Sequence, residues 1–142
     1  GIWLFARAFN RPICLINVFP WPWINVPMLE NCLTMPKKIW HREEKRLLRI
    51  DEMVGMEQRF SWKNYYQDSF FDEISVEFIE NSEAEVGWAA EEMNARLDGS
   101  WTGPDYLVSD YLSEDNVAKG TRAKFVTRFV EENTDIFPKS VS

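Results

Sequence analysis

Residues 72–99 read DEISVEFIENSEAEVGWAAEEMNARLDG, and this stretch decides the fold class. Apolar and polar side chains alternate over residues 72–80. The apolar positions on one face are Ile74, Val76 and Phe78. Alternation with a period of two is typical of a strand that buries one face. Residues 82–99 instead carry apolar side chains at helical spacing, so they predict a helix that follows the strand.

Both ends of that helix are also encoded in the sequence. Ser82 and Glu85 have the spacing of a capping box, in which each side chain binds the other residue's backbone amide. Gly99 supplies a residue that adopts the left-handed conformation beyond the last turn. The apolar positions between these ends are Val86, Ala90, Met93 and Leu97.

The flanking segments predict further elements. Residues 2–9 and 13–19 are rich in β-branched and aromatic side chains and surround a turn at Asn10-Arg11-Pro12, so they predict a hairpin. Additional helices are predicted at residues 36–62, from Gly103-Pro104 to Leu112, and at residues 116–132. Strands and helices do not alternate regularly here as they do in parallel α/β folds.

We therefore predict an α+β fold. Its small antiparallel sheet contains the N-terminal hairpin and the strand near 72–80, with about four helices packed on one face. The alternative is a mostly α fold with an extended N-terminal arm. The chain, residues 1–142, is expected to form a single domain in which 1–34 is an apolar extended or hairpin segment and 35–142 a mainly helical body.

The first 34 residues are unusual in composition. The stretch from Pro12 to Leu29 carries no charge, but it contains four prolines that break helical geometry. A membrane span is therefore not expected. An alternative is that the native product begins at Met35, where the composition becomes ordinary.

The net charge of −7 is unevenly distributed. Residues 68–142 contain six basic and seventeen acidic residues, which would repel phosphate groups. The basic run from Lys37 to Arg49 is interrupted by glutamates and is interpreted first as a surface helix, with a phosphate contact or a contact with an acidic partner as the alternatives. Nucleic acid is thus disfavoured as a partner.

The two cysteines provide evidence on the cellular compartment of the protein. Cys14 and Cys32 are the two cysteines of the chain and are interpreted as reduced and buried, with a disulfide between them as the alternative. We accordingly expect a cytoplasmic protein.

Signatures of catalysis and metal binding are missing from the sequence. The single histidine, His41, lies among charged residues and is interpreted as a surface side chain. The six glycines form no phosphate-binding loop pattern, and the paired carboxylates lie in polar runs. We predict no cofactor, no metal and no catalytic residue, and we favour a non-enzymatic role.

Two sets of residues are candidates for binding. The candidate interaction residues are Trp21, Trp23 and Trp101. The first two project from a stiff, proline-rich segment, and the third lies in a loop where it either contacts a partner or folds back over the core. The candidate pocket residues are Phe70, Phe71, Asp72, Glu73 and Trp88. Asp72 and Glu73 belong to this set because they are carboxylates in an aromatic context.

The predicted function is a non-enzymatic protein–protein interaction module. It would resemble acidic inhibitors or immunity-type proteins in charge, or it would associate with itself as a homo-oligomer. The alternative is a small-molecule-binding domain, or a simple acid–base enzyme, with an aromatic-lined pocket.

Overall fold

The computed structural model describes residues 6, 8–19, 32–59, 68–116 and 118–138. The strands are β1 (Ile13–Val18), β2 (Cys32–Pro36), β3 (Lys38–His41), β4 (Arg46–Leu47), β5 (Val76–Ile79), β6 (Tyr106–Leu107) and β7 (Lys124–Phe125). The helices are α1 (Ile50–Arg59), α2 (Asp68–Glu73), α3 (Glu83–Asp98) and α4 (Thr127–Glu132), with a short 3₁₀ helix at Val108–Tyr111. This mixture of helices and two small sheets confirms the predicted α+β class.

The larger sheet has the strand order β1-β2-β7-β6. The pairs β1/β2 and β2/β7 are parallel, whereas β6/β7 is antiparallel. Every residue of β2 is buried, because neighbouring strands flank it on both sides and helix α3 packs against it. Helix α4 contacts both β7 and α3, so these two helices share one face of the sheet.

The pairing of β1 differs from the predicted hairpin. Its described partner is β2, which runs parallel to it with Ile13 opposite Cys32. The predicted first strand, residues 2–9, lies largely outside the described residues, and Ala6 and Ala8 are helical. A parallel partner comes from farther along the chain, so local turn chemistry does not reveal it.

The smaller sheet is antiparallel, with the order β4-β3-β5. It corrects the predicted helix at residues 36–62, whose first part is strand and turn and whose helix begins at Ile50. Ile39 is fully buried opposite Phe78 of β5, whereas the other residues of β3 are partly exposed. Pairing on both edges of β3 outweighs the local helical preference of the charged residues that follow.

The strand predicted near 72–80 is confirmed as the shorter β5. Residues before Val76 complete helix α2 and a turn in which Ser75 has a φ of 55°. The two C-terminal helices are also shorter than predicted. Val108 begins a single 3₁₀ turn, and α4 starts at Thr127 because residues 124–125 form β7 between β2 and β6.

Helix α3 is confirmed with both predicted ends. The Ser82 hydroxyl accepts from the Glu85 amide, the Glu85 carboxylate accepts from the Ser82 amide, and Gly99 has a φ of 80°. Glu85 is buried, and it also receives a hydrogen bond of 2.7 Å from Nζ of Lys38 on β3. The helix start is therefore tied to the smaller sheet.

Both cysteines are free thiols. Cys32 is buried as predicted, but the prediction that Cys14 is buried is wrong, because it lies on the edge strand β1 and is exposed. Among the helices of the described segments, none has both the length and the apolar character needed to cross a membrane.

Candidate functional site

A cavity of about 460 Å³ lies between the smaller sheet and helix α1. Its described lining residues are His41, Glu44, Arg46, Leu48, Asp51, Glu52, Gly55, Met56, Ile74 and Val76. This volume falls in the range of roughly 300–1,000 Å³ that is typical of small-molecule sites. The lining combines polar groups from the β3–β4 hairpin and the first turn of α1 with apolar side chains from α1 and the start of β5.

His41 closes one side of the cavity at the end of β3. Its side chain is partly buried, and Nδ1 accepts a hydrogen bond of 3.3 Å from the Glu44 backbone amide. Because Nδ1 accepts, the neutral ring carries its proton on Nε2. That nitrogen lies 4.0 Å from Oε1 of Glu44.

Arg46 projects from β4 and is held by two carboxylates. Its Nη1 and Nη2 donate to Glu52 at 2.8 and 2.7 Å, and its Nε donates to Oε2 of Glu44 at 2.7 Å. The hydrogen bond from Arg46 lowers the pKa of Glu52, and the hydrogen bond to Glu52 is the first cause of a raised pKa of Arg46. The bidentate pair therefore fixes the hairpin against the start of α1.

Arg49 and Asp51 form a second pair beside the first. Nε and Nη2 of Arg49 donate to the two oxygens of Asp51 at 3.0 and 2.9 Å, and this contact lowers the Asp51 pKa. Glu52 also accepts from the Arg49 backbone amide, which satisfies a donor at the helix start. The cavity lining thus contains three carboxylates and one guanidinium, a net negative wall.

The rest of the described lining is largely apolar. It is formed by Leu48, Met56, Ile74 and Val76. Gly55 also lines the cavity, and a Cβ built on it would meet no atom within 4 Å. The absence of a side chain at this position therefore leaves part of the space open.

The turn between α2 and β5 is anchored to the β3–β4 hairpin. The Ser75 hydroxyl donates to Oε1 of Glu43 at 2.8 Å, and the Arg42 amide donates to the Ser75 carbonyl at 2.8 Å. Nη2 of Arg42 also binds Asp72 at 2.8 Å. These contacts hold Ile74 against the cavity.

The candidate pocket residues lie elsewhere. Phe70 is buried, and Phe71 packs on it and on Phe78 with ring centroids 5.4 and 4.7 Å apart. Asp72 and Glu73 are exposed, so neither is a desolvated carboxylate. Trp88 lies on α3, where the Arg128 guanidinium stacks 4.7 Å from its ring centroid.

Of the three candidate interaction residues, Trp21 and Trp23 lie outside the described residues, so their proposed contact stays a prediction. Trp101 folds back onto the protein. The Arg96 guanidinium lies 4.7 Å from its ring centroid, and its ring is close enough to Gly103 that any side chain there would collide with it. Its position agrees with a covering role over α3.

The basic run is engaged within the protein. Its ion pairs are Lys37–Glu80, Lys38–Glu85, Arg42–Asp72, Arg46–Glu52 and Arg49–Asp51. These cations serve to join strands and helices, so the run is not a helix with free charges. Across the described segments, no group of three potential metal ligands is close enough to hold an ion.

Comparison with known proteins found no match for this chain among protein families, curated proteins or solved structures. The site must therefore be interpreted from its own geometry.

The cavity was not predicted from the sequence. His41, Glu44 and Arg46 were assigned to one continuous helix, which would have spread them around its surface. The detectable signal was the four-residue polar run at 42–45 between the apolar pairs Ile39-Trp40 and Leu47-Leu48, the pattern of a hairpin.

Proposed function

We propose that this protein is a small-molecule-binding domain and that its ligand occupies the cavity between the smaller sheet and α1. The observation that carries the proposal is the combination of size and lining in this cavity. It has about 460 Å³ of space and is lined by both apolar side chains and fixed polar groups. Such a lining suits a small amphipathic molecule, since apolar area gives affinity and a few polar groups fix orientation.

The polar wall is preorganised, which supports binding. Arg46 is held by Glu52 and Glu44, and His41 is oriented by the Glu44 amide. A ligand that meets groups already fixed in place loses less free energy to ordering them.

Two helical glycines allow a matched test. Gly55 lines the cavity, whereas Gly87 lies on α3 away from it, and a Cβ at either position would meet no atom within 4 Å. Gly55→Leu and Gly87→Leu should both preserve the fold, because leucine favours helix over glycine by roughly 0.8 kcal/mol.

The experiment is a fragment screen by ¹H–¹⁵N NMR on the wild-type chain and both variants. We expect fragments that shift the amides of residues 41–56 in the wild type and in Gly87→Leu, and weakened shifts in Gly55→Leu. Fragments that bind Gly55→Leu as well as the wild type, or a screen without shifts in this region, would contradict the proposal.

A second function is favoured by the exposure of the acidic residues. The structure describes the side chains of sixteen of the seventeen acidic residues in 68–142, and fourteen of these are exposed, while Glu85 and Glu92 are buried. This distribution supports a protein–protein interaction module that meets a basic partner, because complementary charge accelerates association. Pull-down with panels of basic and acidic proteins at low and high salt tests this second function. Binding that depends neither on the charge of the partner nor on the salt concentration would contradict it.

We also propose a cytoplasmic location. Both thiols are free, and Cys32 is fully buried in the sheet, which suits a reducing compartment. Fractionation of cells that express the tagged full chain tests this assignment.

A further inference from the structure

The carboxylates that line the cavity differ in how many of their oxygens accept a hydrogen bond. Both oxygens of Glu52 accept from Arg46, and both oxygens of Asp51 accept from Arg49. Glu44 binds Arg46 through Oε2 alone. Nε2 of His41 lies 4.0 Å from its Oε1, which exceeds hydrogen-bond distance.

The charge of the wall is also unbalanced. Glu44 and Glu52 share the single guanidinium of Arg46, while Asp51 has its own partner in Arg49. One negative charge is therefore left over where the Glu44 carboxylate faces the cavity. An anionic ligand would be repelled here, whereas a cationic one would complete the pairing.

We infer that the ligand of this cavity is a small organic cation, a primary or secondary ammonium carried on an apolar body. Its N–H groups donate to Oε1 of Glu44, and its apolar part lies against Leu48, Met56, Ile74 and Val76. The inference rests on the proposed function, because it specifies the ligand of the same cavity. A charge-assisted hydrogen bond is the expected source of selectivity.

Three probes of similar shape but different charge separate the effect of charge on affinity from that of shape. They are phenethylamine, 2-phenylethanol and phenylacetate, which are cationic, neutral and anionic. We expect the amine to bind about tenfold more tightly than the alcohol, a difference of about 1.4 kcal/mol, since a hydrogen bond between two charged groups is stronger than one to a neutral hydroxyl. Phenylacetate should bind most weakly, and the preference for the amine should shrink as salt rises.

Neighbouring glutamates supply the variant and its control. Glu44→Gln removes the surplus charge, while Glu43→Gln removes the same charge from a side chain that does not line the cavity and keeps an oxygen that can accept from Ser75. Titration by NMR should show the amine preference reduced to about twofold or less in Glu44→Gln and retained in Glu43→Gln. The affinity of the alcohol for Glu44→Gln should stay within about twofold of the wild type, which also shows that the cavity persists.

The outcomes are distinguishable. If the three probes bind with equal affinity at residues 41–56, the ligand class is overturned and the proposed function stands. If phenylacetate binds best, or if Glu43→Gln and Glu44→Gln lose the preference equally, the assignment to Glu44 is overturned. If no probe binds and the fragment screen is also empty, both the inference and the proposed function fail.

Discussion

Asn17 and Asn81 each accept a hydrogen bond from the backbone amide of the other, at 2.6 and 2.7 Å respectively, across 64 positions of the chain. Asn17 lies in β1 at the edge of the larger sheet, and Asn81 follows β5 at the edge of the smaller sheet. The Asn81 side-chain amide also donates to the Pro36 carbonyl at the end of β2. The pair therefore couples the two sheets.

The first prediction concerns this pair. Asn81→Ala should lower the free energy of unfolding by about 1–3 kcal/mol, because it leaves the part-buried Asn17 amide and the Pro36 carbonyl without partners. Urea denaturation measures this loss, and a cost below about 0.5 kcal/mol would contradict the assigned hydrogen bonds.

Asn17 provides an independent check on the same contact. Its φ is 53°, where the register of β1 shifts between Leu15 and Val18. Asn17→Gly keeps this left-handed conformation accessible and loses only the side chain, whereas Asn17→Ala adds roughly 1 kcal/mol of backbone strain. The Ala variant should therefore unfold at lower urea concentration than the Gly variant.

The second prediction concerns the buried Glu92. Its carboxylate binds Nη2 of Arg96 at 2.7 Å and accepts from the Thr127 amide at 2.7 Å, so it joins α3 to the start of α4. Glu92→Ala should lower the free energy of unfolding by about 3–5 kcal/mol, since it leaves the buried guanidinium with the exposed Asp105 as its remaining ion-pair partner among the described residues.

Glu91 is the matched control for this change. It occupies the preceding position of α3 with its side chain exposed, so Glu91→Ala should change stability by no more than about 0.5 kcal/mol. Thermal and urea unfolding of both variants give the comparison. Similar costs for the two substitutions would show that the Glu92 network contributes little.

The sequence predicted correctly those features that depend on residues close together in the chain. The capping box and Gly99 act within α3 itself, so its two ends were predicted correctly, whereas Ala90 and Leu97 of the predicted apolar face are exposed. The position of β7 depends instead on β2, which lies some 90 residues earlier, and the parallel partner of β1 depends on the same central strand. Such pairings leave no short-range pattern, and they turned predicted helical stretches into strands.

The candidate site was harder to predict for a related reason. Aromatic context singled out Asp72 and Glu73, but both lie on the surface, and Asp72 binds Arg42 there. The cavity arises where a hairpin, a helix start and a turn meet, and His41 reaches it because β3 ends at that residue. A residue's neighbours in sequence do not specify such a meeting point.

The third prediction concerns acid stability. Arg46 lowers the pKa of Glu52 and Arg49 lowers that of Asp51, so both carboxyl groups bind protons less readily in the folded than in the unfolded state. Their contribution to stability is fully present above the unfolded pKa values, about 4–4.5, and is lost as the pH falls through the folded values. Arg46→Gln should therefore flatten the loss of stability below pH of about 4.5.

Lys45→Gln controls for the change in net charge, because it removes the same charge from an exposed side chain of the same turn. The urea concentration at the midpoint of unfolding, measured at pH 3, 4, 5 and 7, gives the pH dependence of stability for each protein. The wild type and Lys45→Gln should lose stability in parallel on acidification, and Arg46→Gln should lose less. Three parallel profiles would contradict the role of the Arg46–Glu52 pair.

The fourth prediction concerns thiol reactivity. Desolvation, followed by the charge of Glu92, raises the pKa of Cys14 to about 11, and burial raises the pKa of Cys32 to about 12. Because the thiolate is the reactive form, the native protein should react slowly with a disulfide reagent at pH 7.5, and the rate should rise nearly tenfold per pH unit up to pH of about 9.5. The exposed Cys14 should account for the reaction, so Cys14→Ser abolishes it and Cys32→Ser leaves it unchanged.

Oxidation tests the register of β1 and β2, which sets the faces of the sheet on which the two cysteines lie. Cys32 is opposite Ile13 in the β1/β2 register and shares its face of the sheet, whereas Cys14 is opposite Leu33 and points to the other face. An intramolecular disulfide would require the two strands to shift. Mild oxidation should therefore yield a dimer linked through Cys14, seen as a band of doubled mass on a non-reducing gel and absent in Cys14→Ser. A monomer with both thiols oxidised to one disulfide would show that β1 and β2 do not hold this register.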